Sequence, residues 1–386
     1  MVAGFFIERT HIGSEIKWTS VAGPRRYARV AVLKAHLLFL PALFAVGPSL
    51  AQSGVTIYGL VDVGMVHESG AAAGSVNKVS SGMSSGSRLG FKGVEDLGAG
   101  YAALFLLEAG YQIDDGTLGQ GGLLFGRQAY VGLRNPLGTI TLGRQYTAHF
   151  DTIVLADPFQ SGTVGDAKNL LPSTGDANTR MANSIKLATP AWRGVTGEFM
   201  YSPGEVAGSN TAGRQFGGAV TYLAGALNLR LGYHYRNNDT ATGQTSSARD
   251  TLLAATYKVG AVKGHFGYGV DKGVNSSNPR NPGNPYGYAV TPVASTDSTD
   301  LLLGLSAVHG PHTWLASYVR KEDRTVRNQD ATQVAIGHRY ALSRRTDTYI
   351  VLSHIDNRNG ASYTVGHASD TGTGNQVASV GVRHVF

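Results

Sequence analysis

The chain has 386 residues, with no cysteine, 52 glycines and 18 tyrosines, and its mean hydropathy of −0.09 shows apolar character spread thinly. Disulfide frameworks, zinc–thiolate sites and cysteine nucleophiles are excluded, and many short half-buried strands are favoured over packed helices. The formal charge is +7, but residues 1–51 hold six basic and two acidic residues; 27 basic and 24 acidic residues remain, a surplus of three that leaves no electrostatic footprint for nucleic acid.

Residues 1–51 read as a leader, with a signal peptide over 24–51. A basic stretch, "RRYARVAVLK" (25–34), precedes the apolar run "LLFLPALFAV" (37–46) and then "GPSLAQ". The run is too short to span a bilayer as a helix, and Pro41 argues against a buried core helix. Ser49 and Ala51 are the small residues a signal peptidase reads, which places cleavage after Ala51. Residues 1–24 show no comparable pattern, so a translation start downstream of them stays open.

From Gln52 onward the chain reads as one β-domain. Period-2 alternation appears in "VTIYGLVDVGM" (55–65), where Val55, Ile57, Val61, Val63 and Met65 share one face. "ALNLRLGYHYR" (226–236) sets Leu227, Leu229, Leu231, Tyr233 and Tyr235 against Asn228, Arg230, Gly232, His234 and Arg236. In "DLLLGLSA" (300–307) the same split holds, except that Leu302 falls on the polar side. Segments near 55–67, 86–95, 100–113, 123–134, 138–147, 182–190, 194–203, 213–223, 226–238, 248–259, 261–272, 299–308, 311–323, 329–342, 345–357 and 376–386 give sixteen candidate strands. Short turns such as "RNPLG", "VGAV" and "HGPH" exchange with long loops at 68–85, 148–181, 272–298 and 358–375. That alternation predicts an all-β fold, an up-and-down 16-stranded antiparallel transmembrane β-barrel, wide enough for an aqueous channel. The last strand, "ASVGVRHVF", must close on the first, with Phe386 in an aromatic girdle at the membrane boundary.

Six motifs in order carry a family resemblance: "VTIYGLVDVG", "SGSRLGFKGVEDLGAGY", "LFGRQAYVGL", "GTITLGRQY", "NSIKLATP" and the terminal phenylalanine. Over residues 54–386 the chain resembles the trimeric general-diffusion porins of the Gram-negative outer membrane, in their beta-proteobacterial branch. The resemblance implies an outer-membrane location, a homotrimer, and passive diffusion of ions and small hydrophilic solutes. It also implies contact with membrane lipid and with the barrel-assembly machinery through the C-terminal strand, where His384 replaces the tyrosine of many members. No cofactor is implied.

The same resemblance implies that residues 148–181 fold into the lumen as a constriction loop, punctuated by Asp151, Asp157, Asp166 and Asp176, and carries wall arginines onto Arg88, Arg127 and Arg180. Arg144 and Glu108 are further lumen candidates. Alternation sets Arg88 opposite Leu89 and Phe91, while Arg127 shares the parity of Ala129, Val131 and Leu133 and is left open. A lipid-facing arginine at mid-membrane costs about 2–4 kcal/mol, which favours the lumen for a mid-strand arginine. The surplus of three positive charges and the lumen arginines, which the loop acids oppose, predict weak anion preference.

Competing patterns are weak. "GMSSG" (82–86) matches the hydrolase nucleophile pattern but precedes a strand instead of a helix. The histidines lack zinc-binding spacing, His309 and His312 falling in a turn, so no metal site is expected. A secreted β-solenoid would need a fixed repeat that is not present, and an outer-membrane enzyme with a rim site would not explain the alternating loop lengths. N-terminal sequencing of the membrane-extracted protein is expected to begin at Gln52; recovery of residues 1–24 would refute the processing.

Overall fold

The computed structural model describes residues 54–172, 176–277 and 281–386. The leader and its cleavage site at Ala51 lie outside the described residues.

Seventeen strand segments form one sheet: β1 (Gly54–Ser69), β2 (Val76–Ser81), β3 (Arg88–Gly98), β4 (Tyr101–Gly110), β5 (Gln128–Asn135), β6 (Gly138–Tyr146), β7 (Arg180–Ala188), β8 (Val195–Ser202), β9 (Gln215–Ala224), β10 (Leu227–Asn237), β11 (Ser247–Val259), β12 (Val262–Ser277), β13 (Ser295–His309), β14 (His312–Asp323), β15 (Ala331–Ala341), β16 (Thr346–Asn357) and β17 (Gln376–Val385). β2 and β3 are two halves of one strand. β1 pairs with β2 from Val63↔Ser81 to Glu68↔Val76, and with β3 from Gly54↔Val94 to Leu60↔Arg88. The result is the expected closed 16-stranded antiparallel barrel. One expectation is corrected: residues 68–85 are not a simple loop. β1 runs on to Ser69, β2 returns beside it, and residues 82–87 leave the ladder between β2 and β3. The "GMSSG" segment therefore joins two strands.

Closure runs along β1 and β17, from Leu60↔Val385 to Ser69↔Gln376. It ends in a reciprocal pair: Gly59 N–H donates to the Phe386 carbonyl (3.1 Å), and Phe386 N–H donates to the Gly59 carbonyl (3.0 Å). Gly59 is needed there, because a Cβ would lie 2.5 Å from Phe386 Cζ and 2.6 Å from the Arg88 carbonyl. The aromatic ring lies across a backbone stripped of side chain.

Alternation sorts the two faces. Val55, Ile57, Met65, Leu231, Leu303, Leu305, Val334, Ile336, Val380 and Val382 are exposed on the outside, an apolar belt far larger than a water-soluble monomer carries. Tyr101, Trp192, Tyr257, Trp314 and Phe386 are exposed around the short-turn end, as an aromatic girdle requires. No helix among the described residues is long and apolar enough to cross a membrane; the spanning elements are strands. Inside lie buried polar groups, among them Asp250, Asp271, Asp300 and Lys321. Lys321 Nζ reaches Asp300 (2.7 Å) and Asp271 (3.3 Å), a buried cation shared between carboxylates on neighbouring strands.

Because Phe386 and Gly59 complete the seam, deleting Phe386, or replacing Gly59 with Val, is expected to lower the yield of folded, heat-modifiable barrel on electrophoresis. Normal yield from both would show that the seam does not depend on this pair.

Candidate functional site

The segment between β6 and β7 enters the barrel. It begins with helix α1 (Ala148–Ala156), capped by Thr147, whose Oγ1 accepts from Phe150 N–H (3.1 Å) and donates to the Asn178 carbonyl (2.7 Å). Arg230 on β10 clamps this helix, donating from Nε to Thr152 Oγ1 (3.0 Å) and from Nη2 to the Ala148 carbonyl (3.2 Å), while its guanidinium ion-pairs with Glu198. Lys186 joins the group, 2.7 Å from Glu198 and 3.9 Å from Asp151.

Beyond the helix the wall gives way to the loop. A Cβ on Gly267, Gly304 or Gly337 would lie 3.2 Å from Ala156 Cβ, 2.8 Å from Pro158 Cγ and 2.9 Å from Phe159 Cε1 respectively. Ile153, Ala156, Phe159, Val164, Leu170 and Leu171 bury against inward-facing Leu252, Leu302, Val319, Ala335, Val351 and Ile355. Leu302, the residue that breaks the polar face of its strand, is part of this seat. Gln333 secures the loop tip through the carbonyls of Gly165 (3.1 Å) and Asp166 (3.3 Å), and Asn169 donates to Gln333 Oε1 (2.9 Å).

The 82–87 break meets the tip from the other side, with Thr163 N–H donating to the Met83 carbonyl. Asp62 holds it by accepting from Ser85 N–H (2.7 Å) and Tyr349 Oη (2.6 Å). Arg339 and Arg383 donate to Ser84 Oγ (3.0 Å) and Ser85 Oγ (3.2 Å), and Arg383 pairs with Asp347 (2.6 Å).

The opposite wall is basic. Glu108 on β4 accepts from Arg127 Nε (2.8 Å) and Tyr58 Oη (2.8 Å), with Arg88 Nη1 at 4.0 Å. Tyr58 reaches across Gly90, where a Cβ would meet its ring at 2.5 Å from Cε1. Tyr146 Oη accepts from Arg127 Nη2 (2.6 Å) and Arg180 Nη2 (3.3 Å); Arg180 stacks 4.9 Å from the Tyr146 ring centroid and donates from Nε to the Arg127 carbonyl (2.9 Å). Arg88 and Arg127 thus meet at one carboxylate, and Arg180 joins them through Tyr146 and the Arg127 carbonyl. Arg127 turns inward despite its outward parity because it precedes β5 and is free of the pleat. Arg144 donates from Nε to the Gly126 carbonyl (2.8 Å) beside this group.

The loop acids are placed otherwise. Asp151 lies near Lys186, whereas Asp157 and Asp166 are 0% exposed and bond within the loop instead of lying opposite the arginines. Asp157 accepts from Phe159 N–H (3.0 Å), Ser161 N–H (2.9 Å) and Ala167 N–H (3.1 Å); Asp166 accepts from Lys168 N–H (2.9 Å) and Ser161 Oγ (3.2 Å). The tight turns at the tip leave backbone N–H groups that only a short carboxylate can reach. The Asp176 side chain lies outside the described residues. Sequence reading missed Tyr58, Tyr146, Arg230, Arg339 and Arg383; the inward parity of Arg230 opposite Leu229 and Leu231 was the available signal.

A Gram-negative porin family model matches residues 39–360. The chain belongs to the Gram-negative porin family. Outer membrane porin protein 32 of Delftia acidovorans is 30% identical over 375 residues, covering 92% of this chain and all of the relative. An outer membrane porin protein of Bordetella pertussis is 27% identical over 390 residues, covering 88% and 96%. Among solved structures, an anion-selective porin from Comamonas acidovorans superposes with a TM-score of 0.71 at 27% identity, over 86% of this chain and all of that one. This porin is an outer-membrane protein that forms a water-filled channel for passive diffusion, and its relatives are channels.

Burial, then the neighbouring Asp166, raises the Asp157 carboxyl to about 7 against the three N–H bonds that favour its ionised form. The folded tip therefore holds a proton that the unfolded segment releases near pH 3.8. Loop stability falls as pH rises through the window from about 4 to 7 and is level above it. Protection factors of amides 157–171, with the base-catalysed intrinsic exchange rate divided out, are expected to fall across that window, and Asp157→Asn to remove the fall; protection that stays constant with pH in the parent protein would refute it.

Proposed function

We propose that the wall formed by Arg88, Arg127 and Arg180, facing the inserted loop, is the selectivity aperture and gives the channel a weak anion preference. The observation that carries this is a cluster of three guanidinium groups with a single carboxylate: Arg127 and Arg88 at Glu108, and Arg180 joined to Arg127 through Tyr146. Charge lining a wet pore sets selectivity without holding a substrate. The anion-selective porin from Comamonas acidovorans, similar over its whole length, supports the sign. Homotrimeric assembly, recognition of the C-terminal strand by the barrel-assembly machinery and removal of the leader complete the reading, with no catalytic activity of the protein's own.

A unit charge about 5 Å from a passing ion in water contributes about 0.8 kcal/mol, or about fourfold in relative permeability. Replacing Arg88 or Arg180 with Ser is therefore expected to move the zero-current potential in a salt gradient toward cations by a few-fold in permeability ratio, with the pore still open. Asp157→Asn, buried inside the loop, serves as a control that leaves it in place. A folded Arg88→Ser, Arg180→Ser double variant with unchanged potential would remove these arginines from the aperture.

A further inference from the structure

On the outside of the barrel, toward the long loops, one row of outward residues crosses five strands in direct register: Phe216 on β9, Tyr235 on β10, Arg249 on β11, Lys272 on β12 and Asp297 on β13. Phe216 stacks on Tyr235 (4.6 Å, 22°) and tilts against Tyr233 (6.2 Å, 42°), forming an aromatic ledge beside the two basic side chains. Arg249 and Lys272 stand directly opposite each other, an arrangement of like charges that weakens a sheet by itself. Lys272 is 47% exposed and bonds Asp297 at 2.5 Å. Arg249 is exposed and ion-pairs with no carboxylate among the described residues. Glu322 on β14 lies in the next row and bounds the patch. Two rows nearer mid-membrane the outer face of β9–β12 is apolar, with Val220, Leu231, Leu253 and Tyr268 all exposed. That boundary sets the row at headgroup height.

We propose that this row is a binding site for a phosphorylated glycolipid of the outer leaflet. The guanidinium of Arg249 and the ammonium of Lys272 take the phosphate, which offsets their mutual repulsion. The ledge of Phe216, Tyr233 and Tyr235 offers flat apolar faces to the sugar rings, and the belt below receives the acyl chains. Lys272 keeps Asp297 as a second partner, so Arg249 is the group whose charge is left for the ligand.

The test uses the purified porin in neutral detergent, with native mass spectrometry counting bound lipid A that carries its phosphates. The parent protein is expected to retain lipid A, and to retain its dephosphorylated form about tenfold less. Arg249→Gln with Lys272→Gln is expected to weaken binding about thirtyfold, as two basic groups at a lipid surface contribute. Arg249→Gln alone, which breaks no ion pair, should weaken it several-fold. Phe216→Leu with Tyr235→Leu should weaken binding of lipid A and leave inorganic phosphate without effect as a competitor. Unchanged binding in the folded, heat-modifiable double-Gln variant would overturn the proposal. So would equal retention of phosphatidylglycerol, or full displacement of lipid A by millimolar inorganic phosphate.

Discussion

Every backbone N–H and C=O at membrane depth must find a partner within the protein, because hydrocarbon offers none. A sheet meets that demand only by closing. The seam between β1 and β17 is therefore the contact on which the other fifteen strand pairings depend, and it finishes on the two hydrogen bonds between Gly59 and Phe386. Alternation follows at once: with one face against lipid and the other against water, each strand is apolar outside and polar inside. The exposed belt and the buried inward charges are two readings of that single constraint.

The lumen of so wide a barrel is too large for side chains to fill, and the inserted loop answers this asymmetrically. It packs apolar residues against β11–β16, where glycines and inward-facing leucine and valine depart from the polar pattern. It is then held at both ends by polar clamps: Arg230 on the helix, Gln333 and the 82–87 break at the tip. Packing the loop on one side leaves the arginines of the other side facing across the lumen. Position is thus set by close packing, while the electrostatic character comes from residues that the packing does not use.

Charge inside the barrel is organised in small local groups. Lys321 with Asp271 and Asp300, Lys186 and Arg230 with Glu198, and Arg383 with Asp347 each neutralise acids next to the strands that carry them. Removing one partner from such a buried group costs about 3–5 kcal/mol, since the other is left uncompensated. Glu108 is the exception in stoichiometry, one carboxylate among three guanidinium groups, and the surplus of positive charge is left there.

Entry of the 148–181 loop into the lumen was implied only by the family resemblance, whereas the strand count, antiparallel order and closure through Phe386 were legible in the chain itself, because period-2 alternation and loop length are local properties that a barrel repeats many times. Arg88 was legible for the same reason, lying mid-alternation opposite Leu89 and Phe91. Arg127 was not, since it sits one residue before β5 and its direction follows from Glu108 and Tyr146, residues 19 positions away on either side. Nor could spacing reveal that Asp157 and Asp166 turn into the loop, or that Asp62 and Arg383 meet around residues 82–87 from opposite ends of the chain. The sequence by itself determined which face of each strand meets lipid, because that depends only on parity. Which charges meet each other was decided by the tertiary structure, because it depends on register between strands far apart in sequence and on where the loop finds room to pack.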